Sequence, residues 1–206
     1  MIVILDYGMG NIGSVLNMLR KIKAPAKIST RAEDILAADK LILPGVGAFD
    51  TGMRHLQNSG TFEAINQKVL SEKIPTLGIC LGMQLMMHSS DEGNMPGLGW
   101  IEGKTVRFRF KGDVNKLKVP HMGWNTASIR DYASIFKGLE GREARFYFVH
   151  SYHVVCDQEE NVLATTQHGY EFASAIRLGN IVGTQFHPEK SHKFGMRLLK
   201  NFAEWS

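Results

Sequence analysis

Cysteine is scarce in this chain: Cys80 and Cys156 are the only two among 206 residues. Two thiols cannot make a disulfide framework, so a reducing cytoplasm is the expected setting. Long apolar runs are missing too. None approaches the ~20 residues needed to cross a bilayer, so no membrane span is expected. The first strand pattern, Met1 to Leu5, reaches Asp6 with no basic stretch before it, so no signal peptide is expected either. Charge of one sign is in short supply, with 24 Lys and Arg against 20 Asp and Glu for a net +4. With no recognisable nucleic-acid motif, that balance argues against DNA or RNA as a partner. Basic residues gather at Arg107, Arg109, Lys111, Lys116 and Lys118 and again over 190–200, which reads as a solvated face, with attraction of a partner or a phosphate as the sharper alternative. Repeats, low-complexity tracts and linkers are absent. What remains is an ordinary globular composition, 44% apolar and 21% charged, and a length that suits one large domain over residues 1–206.

Strand and helix signals alternate through the first half. Ile2–Leu5 reads as a buried strand, and 11–23 as a helix with Ile12, Val15, Leu16 and Leu19 on one face. Strands are expected at 26–29 and 40–43, helices at 32–38 and 61–73, and a further strand from Ile74 to Ile79 with a helix over 83–88. This order predicts an α/β fold with a mostly parallel central sheet flanked by helices. The second half adds an antiparallel β section. The alternation of Val106, Phe108 and Phe110 with Arg107 and Arg109 marks a half-buried strand. Further strands are expected at 146–156, 162–167, 171–177 and 181–186, and a closing helix over 191–205 buries Phe194, Leu198, Leu199 and Phe202.

Gly78-Ile79-Cys80-Leu81-Gly82 stands at a strand-to-helix junction. Glycines on both sides permit the sharp bend that pushes the central side chain out at the carboxyl edge of a sheet. A cysteine placed there is a candidate nucleophile, and the thiol needs a base or a lowered pKa to act at neutral pH. His187-Pro188-Glu189 supplies the base. In an extended segment His187 and Glu189 point to the same side, and Pro188 favours the extended form of His187. Glu189 would then orient the imidazole, completing a Cys-His-Glu triad. Pro44-Gly45-Val46-Gly47 could offer backbone N–H groups to an oxyanion, Val46 together with Leu81. Cys156 reads as a small core hydrophobe. Gly8-x-Gly10-x-x-Gly13 resembles a dinucleotide fingerprint, but Ser29, Thr30 and Arg31 stand where the ribose-binding acid belongs, so no cofactor is expected. His150 and His153 would face opposite sides of one regular strand and so make no metal site.

Gly78 to Gln84 with His187-Pro188-Glu189 resembles the class I (triad) glutamine amidotransferases, whose fold is flavodoxin-like. Asp6-Tyr7-Gly8-Met9-Gly10-Asn11, Pro44 to Gly47, His121-Met122-Gly123-Trp124-Asn125, Tyr147 to Tyr152 and Phe186 to Ser191 narrow the resemblance to the glutaminase subunits of imidazole glycerol phosphate synthases, from end to end. The resemblance implies glutamine as substrate, held by Gly47, Gln84, Glu92, Ser151 and Tyr152, with no cofactor and no metal. It also implies a heterodimer with a (β/α)8-barrel cyclase subunit, docked near Asn11, Trp124 and Lys190, that receives the ammonia. The Pro44–Gly47 strand would have to rearrange before its N–H groups face the oxyanion. Two segments depart from the pattern: the basic 107–118 stretch and Ser191-His192-Lys193-Phe194. They leave a paralogous glutaminase that supplies ammonia for amidination of a surface-polysaccharide sugar as an alternative. A dinucleotide-binding module and a partner-independent cysteine hydrolase of similar fold are further alternatives, and Gln84 with the His-Pro-Glu segment argues against both.

Overall fold

The computed structural model describes residues 1–110 and 117–205, so Lys111 and Lys116 of the basic stretch lie outside the described residues. The chain runs β1 (Ile2–Leu5), α1 (Ile12–Lys21), β2 (Ala26–Ser29), α2 (Ala32–Leu36), β3 (Lys40–Gly45), α3 (Phe49–Asn58), α4 (Phe62–Asn66), β4 (Thr76–Cys80) and α5 (Leu81–Leu85). There follow β5 (Ser89–Ser90), β6 (Gly103–Arg107), β7 (His121–Thr126), β8 (Ser128–Ile129), β9 (Arg145–His150) and β10 (Tyr152–Cys156). The last elements are β11 (Val162–His168), β12 (Tyr170–Leu178), β13 (Ile181–Thr184) and α6 (His192–Glu204).

The main sheet has the order β2-β1-β3-β4-β13-β12-β10-β6-β5. From β2 to β13 every pairing is parallel. At β12 the sheet turns antiparallel, and β11 and β8 extend it there. A separate antiparallel pair, β7 with β9, completes the β structure. The parallel strands are apolar throughout because both faces are covered. In β1, Ile2 and Ile4 face one core with α1 and α6, while Val3 and Leu5 face the other with α3, α4 and α5. The carboxyl ends of β1, β3, β4 and β13 open on one edge, and the order reverses beside β1. In sheets of this kind that edge is where ligands bind. No helix among the described residues is long and apolar enough to cross a membrane.

Several elements differ from the sequence-based expectation. The helix α3 was not anticipated. Its apolar stripe is only Phe49, Met53 and Leu56, while Asp50, Thr51, Arg54, His55, Gln57 and Asn58 dilute the pattern. The helix expected over 61–73 runs as α4 and then widens to π geometry over Gln67–Ser71. The Asn180 amide donates to the carbonyls of Val69 and Ile74 at 3.0 and 2.9 Å, satisfying groups that a regular helix end would leave orphaned. The helix after Cys80 begins at once, at Leu81, and ends by Leu85. The strand expected through Phe110 ends at Arg107, and the Phe108 N–H bonds instead to the carbonyl of Ser151. The expected single strand over 146–156 breaks at Ser151 into β9 and β10, which belong to different sheets. That break overturns the opposed placement of His150 and His153. Both rings are buried against Phe108, with centroids 5.3 and 4.7 Å from it.

Candidate active site

Cys80 closes β4 with φ 54° and ψ −108°, a backbone posture that costs a residue with a Cβ of the order of 1–3 kcal/mol. The turn is held from behind by Gly82. A Cβ on that residue would lie 1.8 Å from the carbonyl oxygen of Leu43, so the absence of a side chain is what lets α5 sit on β3. Beneath the thiol lies Gln185, fully buried just past the end of β13. Its Nε2 donates to Cys80 Sγ at 3.7 Å, and its Oε1 accepts from Gln84 Nε2 at 3.1 Å. Gln185 was missed in the sequence. Its one signal was a polar residue interrupting an apolar strand immediately before Phe186-His187.

His187 and Glu189 meet as expected, though by a different path. His187 is extended (φ −98°, ψ 97°), but Pro188–Lys190 forms a 3₁₀ turn rather than continuing the extended chain. The turn carries Glu189 back under the ring, with Nδ1 and Oε1 2.8 Å apart and both side chains almost wholly buried. Because the carboxylate accepts, Nδ1 carries the hydrogen and Nε2 is left for the reacting side. That Nε2 is buried and makes no formed hydrogen bond within the described chain. The backbone of His187 is clamped: its N–H donates to Tyr147 O at 2.9 Å, and its carbonyl accepts from Ser191 Oγ at 2.6 Å. Ser191 Oγ in turn accepts from the Tyr147 N–H at 3.0 Å. Burial alone would lower the His187 pKa. The nearby Cys80 sulfur, then the hydrogen bond and charge of Glu189, outweigh it and push the pKa up to about 10.

In front of Cys80 is a cavity of about 320 Å³, at the small end of the ligand-pocket range. Val46, Gly47, Leu81, Gln84, Glu92, Ser151 and Tyr152, the residues expected around an oxyanion and a glutamine, all line it with Cys80. Pro120, Val149 and His150 line it as well and were not anticipated. Glu92 is fixed by the Phe49 N–H at 2.8 Å, at the start of the unexpected helix α3. Gln84 spends both amide hydrogens, one on Tyr152 O and one on Gln185 Oε1, each at 3.1 Å. Tyr7 donates to Pro44 O at 2.6 Å from a buried position. Burial, and then the nearby Cys80 charge, push its phenol pKa far up, so it stays a donor. The glycine-rich loop that mimics a dinucleotide site has a steric use here. Gly10 sits at φ 101°, and a Cβ on it would press on Pro44 and Gly45 at 3.2–3.3 Å. A larger hollow of about 490 Å³ lies at the opposite, amino-terminal end of the sheet, around Met1, Lys23, Lys40 and Lys200, and holds no part of this constellation.

Trp124 and Lys190 come together around Tyr147, Trp124 edge-on at 6.1 Å and the Lys190 ammonium 5.7 Å above its ring. Asn11 is exposed at the start of α1, which packs against the 188–190 turn. Arg107 lies over the Tyr152 ring at 5.9 Å, and Arg109 approaches Asp91 at 3.5 Å. Cys156 is half-buried, and burial beside Asp157 pushes its thiol up to about 11, so it stays protonated and inert. Among the described residues no group of three or more His, Cys, Asp or Glu could hold a metal.

The parallel sheet edge, the strained cysteine and the buried His-Glu pair form the arrangement expected of a cysteine-triad amidotransferase site. The sequence matches the family model for class I glutamine amidotransferases over residues 3–205, and the chain belongs to that family. It is 52% identical over 204 residues to the imidazole glycerol phosphate synthase subunit HisH 2 of Methanococcus maripaludis, covering 99% of each chain. It is 50% identical, with the same coverage, to the protein of that name in Pseudomonas aeruginosa. Among solved structures, a putative GMP synthase protein from Thermoplasma acidophilum aligns with a TM-score of 0.72 at 21% identity, covering 98% of this chain and 92% of the other. At that identity the match establishes the fold.

Proposed function

We propose that this protein is the glutaminase subunit of an imidazole glycerol phosphate synthase. It would hydrolyse glutamine as one domain and pass ammonia to a (β/α)8-barrel cyclase in histidine biosynthesis. The observation that carries the chemistry is the meeting of Cys80, His187–Glu189 and the 320 Å³ cavity at one sheet edge. The full-length likeness to subunits bearing that name carries the pathway, and it favours the histidine-pathway nucleotide over a sugar as ammonia acceptor. The site's working partner is a cytoplasmic barrel subunit docked over Asn11, Trp124 and Lys190, forming a heterodimer.

Glutamine would lie against Gly47, Gln84, Glu92, Ser151 and Tyr152 with its side-chain amide at Cys80. The thiolate attacks the amide carbon, and the carbonyl oxygen becomes an oxyanion facing the N–H groups of Val46 and Leu81. The His187 imidazolium gives its Nε2 proton to the departing nitrogen, the C–N bond breaks, and ammonia leaves a glutamyl thioester. Acylation removes the thiolate charge, the chief influence holding the imidazole protonated. With burial then weighing against the cation, neutral His187 can take a proton from water as water attacks the thioester. Collapse of that second intermediate releases glutamate and restores the thiolate–imidazolium pair. Glu189 keeps the ring in the Nδ1–H tautomer through both halves.

The test is co-expression with the barrel cyclase of the same genome. The two should co-purify, and glutamate release should depend on the barrel partner and its nucleotide substrate. A co-purified complex that releases no glutamate in the presence of that nucleotide would overturn the reading. A second prediction concerns pH. A histidine whose folded pKa, about 10, exceeds its ordinary 6.5 adds stability that is complete below about pH 6.5. That contribution declines through the interval and is gone once the pH passes about 10. The difference in denaturant midpoint between the native chain and His187→Gln should therefore shrink steadily from pH 6.5 to 10. A constant difference would show that the imidazolium pairing contributes nothing to folding.

A further inference from the structure

Phe108 is ringed by four histidines that the triad does not use. The rings of His121, His150, His153 and His168 have centroids 6.3, 5.3, 4.7 and 5.2 Å from it. Two of them are joined in a directed chain of hydrogen bonds. His150 Nδ1 is 2.7 Å from the carbonyl of Tyr152, which can only accept, so Nδ1 carries the hydrogen and Nε2 a lone pair. His121 Nδ1, 3.0 Å from that lone pair, must donate. Its own Nε2 is then an acceptor, 3.1 Å from Asn125 Nδ2. The Asn125 amide is oriented independently, for Oδ1 accepts from the Thr126 N–H at 2.8 Å and Nδ2 donates to Gln167 O at 2.9 Å. Both ends of the chain therefore dictate the same direction, and neither ring has room for a second proton. Burial lowers both pKa values, that of His121 to about 4 with a further push from His168 and that of His150 well below its ordinary value.

We propose that His121 and His150 are positioning residues for glutamine: His121 holds His150 in the Nδ1–H tautomer, and that tautomer fixes the wall formed by Ser151 and Tyr152. The Tyr152 carbonyl is the common point, since it also accepts from Gln84, whose other hydrogen goes to the Gln185 beneath Cys80. One chain of oriented dipoles thus runs from Asn125 on β7 to the nucleophile. A His121 variant without a donor leaves His150 Nε2 as a buried acceptor with no partner, which loosens the wall. The proposal rests on reading the cavity as the glutamine site. Among the described residues, the other ionisable groups facing the pair are His168, stacked on His121 at 4.2 Å, and His153 across Phe108, with Asp91 acting on His153.

Two measurements test it. In the complex with its barrel partner and nucleotide, His121→Phe should raise the glutamine KM about tenfold, the cost of one unsatisfied buried acceptor, while kcat changes much less. His121→Asn, which keeps a donor near Nδ1, should recover most of the loss. An unchanged KM in His121→Phe, or no recovery in His121→Asn, would overturn the proposal. Independently of any activity, two-bond ¹⁵N–¹H spectra of the native chain labelled in histidine should show His150 as the Nδ1–H tautomer, its titration displaced well below the ordinary imidazole range. An Nε2–H tautomer or an ordinary titration would overturn it too. If the native complex releases no glutamate, the functional reading fails while the tautomer result still judges the relay.

Discussion

Replacing Cys80 with Ala should abolish glutamine-dependent synthesis by the complex, by roughly four orders of magnitude or more. Synthesis from added ammonium salt should stay close to the native rate. The asymmetry follows from where the sulfur sits. It is the only atom at this edge able to form the thioester, and it lies at the end of β4 in contact with Gln185 and the pocket wall, not at the centre of the core. Taking one atom from that site leaves the sheet, the cavity and the docking face intact. The barrel partner should then be indifferent to the change so long as ammonia arrives from solution. The check is paired initial rates with glutamine and with ammonium on the same preparation, alongside the failure of a glutamine-mimicking diazo-ketone to label the variant. Loss of both activities from a folded complex would remove Cys80 from the role assigned to it.

Gly82→Ala should be among the most damaging single methyls in the described part of the chain. The added carbon would stand 1.8 Å from Leu43 O and 2.9 Å from Leu43 C, both backbone atoms of a central strand that cannot step aside. Relief requires α5 to lift from β3, opening the apolar layer of Leu43, Leu81 and Leu85 that joins them. We expect a cost above about 4 kcal/mol, in the range reserved for core disruption. Gly13→Ala in α1 is the control. Nothing lies within 4 Å of its would-be Cβ, so helix propensity should make that change neutral or stabilising by up to about 1 kcal/mol. Equal denaturation midpoints for the two variants would refute the close-contact argument.

The parallel half of the fold and the candidate Cys80, His187 and Glu189 segments were legible because each carries a local signal. Uninterrupted apolar runs mark strands covered on both faces, and the glycine-flanked cysteine and the His-Pro-Glu segment are each compact. The misses share a cause, which is dependence on partners distant in sequence. Phe49–Asn58 is helical because a sparse stripe of three side chains meets α5, and nothing in its own composition announces that. Ser151 breaks a strand that is apolar on both sides of it, since Arg145–His150 pairs with β7 and Tyr152–Cys156 with β6. His150 and Gln185 looked like ordinary polar residues in strands, and no strand was expected around His121. Only their convergence from separate elements, β7, β9 and the end of β13, gives them a place at the site.

The backbone of Cys80 carries one more implication, for the chain's history. At φ 54° and ψ −108°, position 80 is where glycine would rest more easily than any residue bearing a side chain. Folding stability and ammonia production therefore pull this residue in opposite directions. A lineage that came to obtain ammonia from its surroundings would gain stability by losing the nucleophile. On the proposed role of Cys80, a relative carrying glycine at this position should be more stable and should release no ammonia from glutamine.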